Sequence, residues 1–169
     1  MNLIAAADKN MAIGKDGKLL YSIPRDMKFF RTMTTGKVVV MGRKTLESFP
    51  GKNPLKNRVN IVLTRNASYK KDGVIICTDT EMLKKELEKY DTDDVFVIGG
   101  EQIYSLLLPM CKRAYITRID SESEADAFLP DLGSDCGWHT VSESETYSDN
   151  GFEFRFVTYE RNWRTENVW

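Results

Sequence analysis

The 169-residue sequence predicts an α/β fold: a single domain with a mostly parallel central sheet, helices on both faces and an antiparallel hairpin at the C-terminal end. Three observations predict it. Short apolar runs bounded by turn residues recur from Asn2 to Ile119, as expected of strands buried on both faces. Amphipathic helical patterns alternate with those runs, which is how parallel strands are connected. Asn150-Gly151 lies between two extended segments near the end, a strong hairpin signal.

The elements follow in order. NLIAAA (2–7) reads as a buried strand that stops at Asp8. Residues 8–23 (DKNMAIGKDGKLLYSI) read as a long irregular loop. Gly14 and Gly17, beside Met11, Ile13, Leu19 and Leu20, suit a mobile lid with an apolar underside. Pro24, pre-set for a first helical position, opens a helix over 24–34. VVVM (38–41) is the next strand, with a short helix at 43–49 and a second loop, PGKNPLKN, at 50–57. VNIVLT (59–64), VIIC (74–77), VFVIG (95–99) and AYITRI (114–119) are further strands. Helices are expected at 81–90 and 102–108, between the later ones. HTVSESETYS and FEFRFVTYE form the arms of the hairpin. No repeat, linker or break in composition divides the chain. One domain over 1–163 is therefore expected, followed by a tail at 164–169, with Trp163 and Trp169 at the surface.

A net charge of −1 gives no bulk electrostatic reason to expect nucleic acid or a membrane surface as partner. LIAAA is too short for a signal-peptide core and nothing later approaches a membrane span, so a cytoplasmic protein is expected. Cys77, Cys111 and Cys136 are odd in number, form no CxxC and have only His139 to join them. Reduced thiols fit better than a zinc site or a disulfide framework. Charge is uneven along the chain. Residues 117–150 carry nine acids against Arg118 alone, whereas Arg43, Lys44, Lys52, Lys56, Arg58, Arg65, Lys70 and Lys71 gather earlier. An anionic ligand would be drawn to the earlier part.

Within SIPRDMKFF (22–30) the helical period sets Asp26 among Met27, Phe29, Phe30 and Met33, inside the stripe that should face the core. One reading is a carboxylate serving the first turn of its own helix. The other is a functional acid in an apolar wall. MGRKT (41–45) follows a strand and opens a helix, so its backbone N–H groups, with Arg43 and Lys44, suit a phosphate. It is not a P-loop, because Lys37 stands where the earlier glycine would be needed. VIGGEQIY (97–104) is a second strand-to-helix turn, whose paired glycines let a ligand approach the backbone or simply make a tight turn. No GxGxxG occurs. Thr64 and Arg65 at the end of a strand could seat another phosphate, and Arg58 could clamp a carboxylate in bidentate fashion. His139 has no GxSxG nucleophile elbow to serve.

Taken in order, LIAAAD…IG, IPRDMKFF, VVVMGRKTLESF, RVNIVLTR, VFVIGGEQIY, YITRID, ADAFLPD and FEFRFVTYER closely resemble the dihydrofolate reductase family over essentially the whole chain. The resemblance implies a bacterial, chromosomal-type enzyme of that fold. Its reaction would be the NADPH-dependent reduction of 7,8-dihydrofolate to 5,6,7,8-tetrahydrofolate, supplying one-carbon metabolism and thymidylate synthesis. Asp26 would be the single acid that holds the pterin, with Thr117 hydrogen-bonded to it and Tyr21 organising a water. Ile4, Ala5, Met27, Phe30, Phe49, Leu55, Ile98 and Tyr104 would border the folate pocket, and Arg58 would hold the glutamate-tail carboxylate. For the cofactor the resemblance points to Ala6, Ile13, Gly14 and Leu19 near the nicotinamide, and to Gly42, Arg43, Lys44 and Thr45 at the first phosphate turn. Leu63, Thr64 and Arg65 would take the adenosine end. Gly99 and Gly100, joined in the family by a cis peptide, would complete the cofactor site with Glu101, Gln102, Ile103 and Tyr104. The implied partners are dihydrofolate and antifolate inhibitors, with a monomer, no metal, no nucleic acid and no membrane.

The sequence departs from the family's usual pattern at Leu20 and Tyr21, where Pro-Trp is common, and at Leu19, Phe49, Gln102 and Ala125. Two other readings stay open: a related reductase of a pyrimidine intermediate in riboflavin synthesis, and a pterin- or nucleotide-binding module without catalysis.

Overall fold

A computed structural model describes residues 1–162, so the expected tail and the positions of Trp163 and Trp169 lie outside the described residues. The first strand, β1 (Asn2–Ala7), lies near the middle of the main sheet. Its neighbours are β7 (Val95–Gly99) and β8 (Arg113–Ile119), both parallel to it. Beyond β7 come β4 (Val38–Gly42), β5 (Val59–Leu63) and β6 (Val74–Cys77), again all parallel. On the other side, β12 (Phe152–Arg161) adds antiparallel to β8, and β10 (Trp138–Glu143) and β11 (Tyr147–Asp149) both pair with β12. The hairpin expectation thus holds. Asp149 pairs with Phe152 across Asn150-Gly151, both of which have positive φ, as a two-residue turn of this hand requires.

Strand alternation splits the core in two. Leu3, Val38, Val40, Ile61, Val95 and Val97 face one side, where Leu83 of α3 (Thr80–Leu87) and Leu107 of α4 (Glu101–Leu107) cover them. Ile4, Val39, Met41, Val62, Phe96 and Ile98 face the other, packed against Leu46 of α2 (Arg43–Ser48) and Phe29, Phe30 and Met33 of α1 (Pro24–Thr34). Helices therefore lie on both faces, as predicted. The helix after β4 and the helix after β7 leave adjacent parallel strands toward opposite faces, which opens a crevice at their C-terminal ends.

One expectation needs correction. Residues 8–23 are not irregular throughout: β2 (Ala12–Lys15) and β3 (Lys18–Leu19) form a small hairpin. Together with β9 (Ala127–Phe128) they make a second, three-stranded sheet. Asp16 and Gly17 at its tip both have positive φ. Nor does the apolar part of this stretch form an underside throughout, since Met11 and Ala12 are buried in the main core whereas Leu19 is 82% exposed.

The three cysteines are free, with Cys77 and Cys111 buried and Cys136 exposed. Burial pushes the Cys111 thiol up to about 12, far from a reactive thiolate at neutral pH. Among the described residues no helix is long and apolar enough to cross a membrane, and no group of three or more metal-ligating side chains comes together.

Candidate active site

Asp26 stands in the first turn of α1, half-buried. It serves no cap there. Its Oδ1 accepts a 2.6 Å hydrogen bond from Thr117 Oγ1, across 91 residues of chain, and Thr117 is itself buried on β8. Loss of water around the carboxyl raises its pKa from the ordinary 3.8, and the bond from Thr117 pulls the other way. Burial is the larger influence, so the site holds an acid that binds its proton more tightly than a surface aspartate.

The wall around this acid is only partly the one expected. Ile4 and Ile98 are buried on the α1 side of the sheet, with Phe30, Phe49 and Leu55 packed against them. Leu55 is fixed by Asn60, whose side chain accepts from the Leu55 N–H and donates to its carbonyl, each at 2.9 Å. Met27 is 53% exposed and is not among the side chains packed in that cluster. The Ala5 side chain packs with the opposite core, because neighbours on a strand point to opposite faces, so Ala5 can border the pocket only through its backbone. Tyr104 is buried, and its hydroxyl donates to the Ile4 carbonyl at 2.9 Å. Burial and the nearby Asp26 charge hold that phenol well above its usual pKa.

Tyr21 has protein partners of its own. Its hydroxyl donates to Asp8 Oδ2 at 2.9 Å and lies 3.1 Å from Ser123 Oγ; it makes no bond to Asp26. Asp8, just after the end of β1, is fully buried. It accepts from the Asn10, Ala12 and Ser123 N–H groups as well as from Tyr21. The signal was available: an aspartate followed by a tight turn commonly accepts from backbone two to four residues on. Tyr21→Phe removes one donor from this buried carboxylate. It is expected to cost about 1 kcal/mol in urea unfolding while turnover stays within roughly threefold of wild type. A larger kinetic loss at unchanged stability would instead return Tyr21 to the chemistry.

Arg58 is half-buried and held rigidly: Nε donates to Thr34 Oγ1 at 2.9 Å and Nη1 to the Lys56 carbonyl at 2.8 Å. Desolvation, then the nearby Arg31, lower its pKa, and no carboxylate pairs with it among the described residues. That arrangement favours an incoming anion.

The glycine turns meet. Gly42 ends β4 and the cis-linked Gly99-Gly100 ends β7, so the starts of α2 and α4 lie side by side. A Cβ on Gly42 would come 3.1 Å from Ile103 Cγ1, and one on Gly99 would come 3.3 Å from Thr45 Oγ1. Gly99 has φ +138°, a region that other residues rarely adopt. The glycines thus leave backbone open between the Thr45 and Ile103 side chains, which suits close approach of a pyrophosphate. Lys44 and Arg65 are exposed nearby in sequence to these turns and to β5, whereas Arg43 donates from Nη1 to both Glu47 oxygens at 2.9 and 3.1 Å. Leu63 is buried, and Thr64 Oγ1 accepts from the Asn66 N–H at 3.2 Å. Glu101 is also engaged, accepting the Phe128 N–H at 3.0 Å and so tying β9 to α4. Gln102 is exposed. Ala6 and Ile13 are half-buried, and Gly14 is needed where a Cβ would meet the Lys18 carbonyl oxygen at 2.9 Å.

Fold and site together define a small α/β domain with a half-buried acid set beside an apolar wall, and a glycine-built crevice at the neighbouring strand ends. A family model described as dihydrofolate reductase matches residues 1–161, and the chain belongs to that family. It is 37% identical to dihydrofolate reductase of Bacillus subtilis, over 95% of this chain and 94% of the relative. It is 36% identical to dihydrofolate reductase type 3 of Salmonella typhimurium, over 95% and 98%. Among solved structures, dihydrofolate reductase from Enterococcus faecalis complexed with NADP(H) and RAB-propyl superposes with a TM-score of 0.85 at 35% identity, covering 96% of each chain.

Proposed function

We infer that this protein catalyses the reduction of 7,8-dihydrofolate to 5,6,7,8-tetrahydrofolate with NADPH. The observation that carries the reading is the half-buried Asp26, held by Thr117 in an apolar wall beside a crevice lined by glycine backbone. Family membership supports it. NADPH, when bound, supplies the hydride.

The rest is the work of the chain. Asp26 orients the amino-pyrimidine side of the pterin and polarises it, its carboxyl kept in place by Thr117. Phe30, Phe49, Leu55, Ile4 and Ile98 exclude water from one side of the ring. Arg58 receives the α-carboxylate of the glutamate tail, its fork pre-set by Thr34 and the Lys56 carbonyl. Gly42, Gly99 and Gly100 offer backbone to the pyrophosphate, with Thr45 beside them. Lys44 and Arg65 take the negative charge of the adenosine end, where Arg43 is already partnered by Glu47. We further propose a cytoplasmic monomer without nucleic-acid partners, inhibited by antifolates.

The deciding assay follows loss of NADPH absorbance with dihydrofolate, beside a parallel reaction with the pyrimidine intermediate of riboflavin synthesis. Turnover of dihydrofolate alone is the expected result; turnover of the pyrimidine alone, or of neither, would refute the reading.

A further inference from the structure

Helix α1 begins without a cap of its own. Ile23 stands at the N-cap position with extended backbone and no side-chain acceptor, and Pro24 follows. The first N–H groups of a helix have no partner within it, and an uncapped first turn frays. Asp26, the one acid in that turn, directs its carboxyl to Thr117 instead. The missing acceptor comes from 124 residues further along: Asp149 Oδ2 accepts the Arg25 backbone N–H at 2.8 Å.

Asp149 ends β11, and the turn that follows it lies against the start of the helix. Asn150 Nδ2 donates to the Ser22 carbonyl at 2.6 Å. The Arg25 guanidinium lies 3.7 Å above the centroid of the Tyr147 ring, and Tyr21 meets Phe152 edge-on at 5.2 Å between centroids. The same ribbon fixes the other half of the pair. Phe156 on β12 is in register with Thr117 and stacks on Phe29 of α1 at 4.4 Å. Both ends of the Asp26–Thr117 bond are thus located by one C-terminal hairpin.

We propose that Asp149 is a positioning residue for Asp26, a cap supplied from a distant part of the same chain that completes the first turn of α1 and so sets where the acid's carboxyl stands against Thr117. The proposal rests on the reading of Asp26 as the pterin-holding acid. A negative group at this helix end is also favoured by the macrodipole.

Asp149→Ala and Asp149→Asn, compared with wild type, test it. In Asp149→Ala, hydrogen exchange at the Arg25 amide should quicken by roughly tenfold, the loss expected for one cap. KM for dihydrofolate should rise several-fold while KM for NADPH stays within about twofold. Asp149→Asn keeps an acceptor oxygen and should recover most of both effects. If the alanine variant does not fold, Asp149→Ser replaces it with a shorter acceptor and an intermediate effect expected. A variant that melts earlier but leaves Arg25 exchange and both KM values unchanged would reduce Asp149 to general stability and overturn the proposal. Absence of dihydrofolate turnover in the wild type would count against the functional reading alone, because the exchange measurement still decides the cap.

Discussion

Asp26→Asn should yield a protein that melts higher than wild type near neutral pH yet turns over dihydrofolate at least 100-fold more slowly. The kinetic loss follows from removing the one ionisable group that can hold and polarise the ring, an effect commonly worth about 10²–10⁴. The stability gain follows from linkage. Burial raises the Asp26 pKa above its ordinary 3.8, so the folded chain binds this proton more tightly than the unfolded one. Stability must then fall as pH rises from that ordinary value through the raised one, and it stays reduced above. Asparagine does not ionise and avoids that loss, while its carbonyl can still accept from Thr117. The expected change is therefore a rise in Tm. The gap between the two proteins should narrow as pH is lowered toward about 4. Calorimetry across pH, with NADPH affinity measured alongside and expected to be unchanged, checks both halves. A gap that widened on acidification would contradict the burial argument.

Arg58→Leu should raise KM for dihydrofolate by about 100-fold, with kcat moving less than about threefold. A charged, pre-oriented hydrogen-bonding pair is worth roughly 1.5–3 kcal/mol, and the guanidinium here is already held by Thr34 and Lys56 before any ligand arrives. A pterin substrate truncated before its glutamate has no carboxylate to lose. It should therefore react with the variant and the wild type at nearly the same kcat/KM. Equal losses for the full and truncated substrates would place Arg58 outside the tail site and make it a brace for Thr34.

Much of the architecture was legible because it is written locally. Val38–Met41, Val59–Leu63 and Val95–Gly99 are near-continuous apolar runs, which only a strand covered on both faces can use. Pro24 and the spacing of Phe29, Phe30 and Met33 likewise marked α1 to its ends. What was not legible depends on partners far away. Lys18–Leu19 and Ala127–Phe128 are two-residue strands with no periodicity to detect, and they exist because β2 lies between them. The cap on α1 and the bonds to Tyr21 span more than ten residues each, so no local pattern announces them. Ala5 carries a constraint of a different kind. Alternation along β1 turns the Ile4 and Ala5 side chains to opposite faces, so of the two only Ile4 offers its side chain to the α1 side of the sheet. Asp26 itself was readable as an oddity, though its partner Thr117 was not readable from spacing at all.

The placement of β12 between β8 and β10 has a consequence for biosynthesis. The residues proposed to bind dihydrofolate and NADPH all precede Arg118, yet Thr117 sits on a strand whose outer neighbour runs from Phe152 to Arg161. A chain still emerging from the ribosome can carry every reactive group and have no working cleft. Activity is therefore expected only once the final ribbon has joined the sheet.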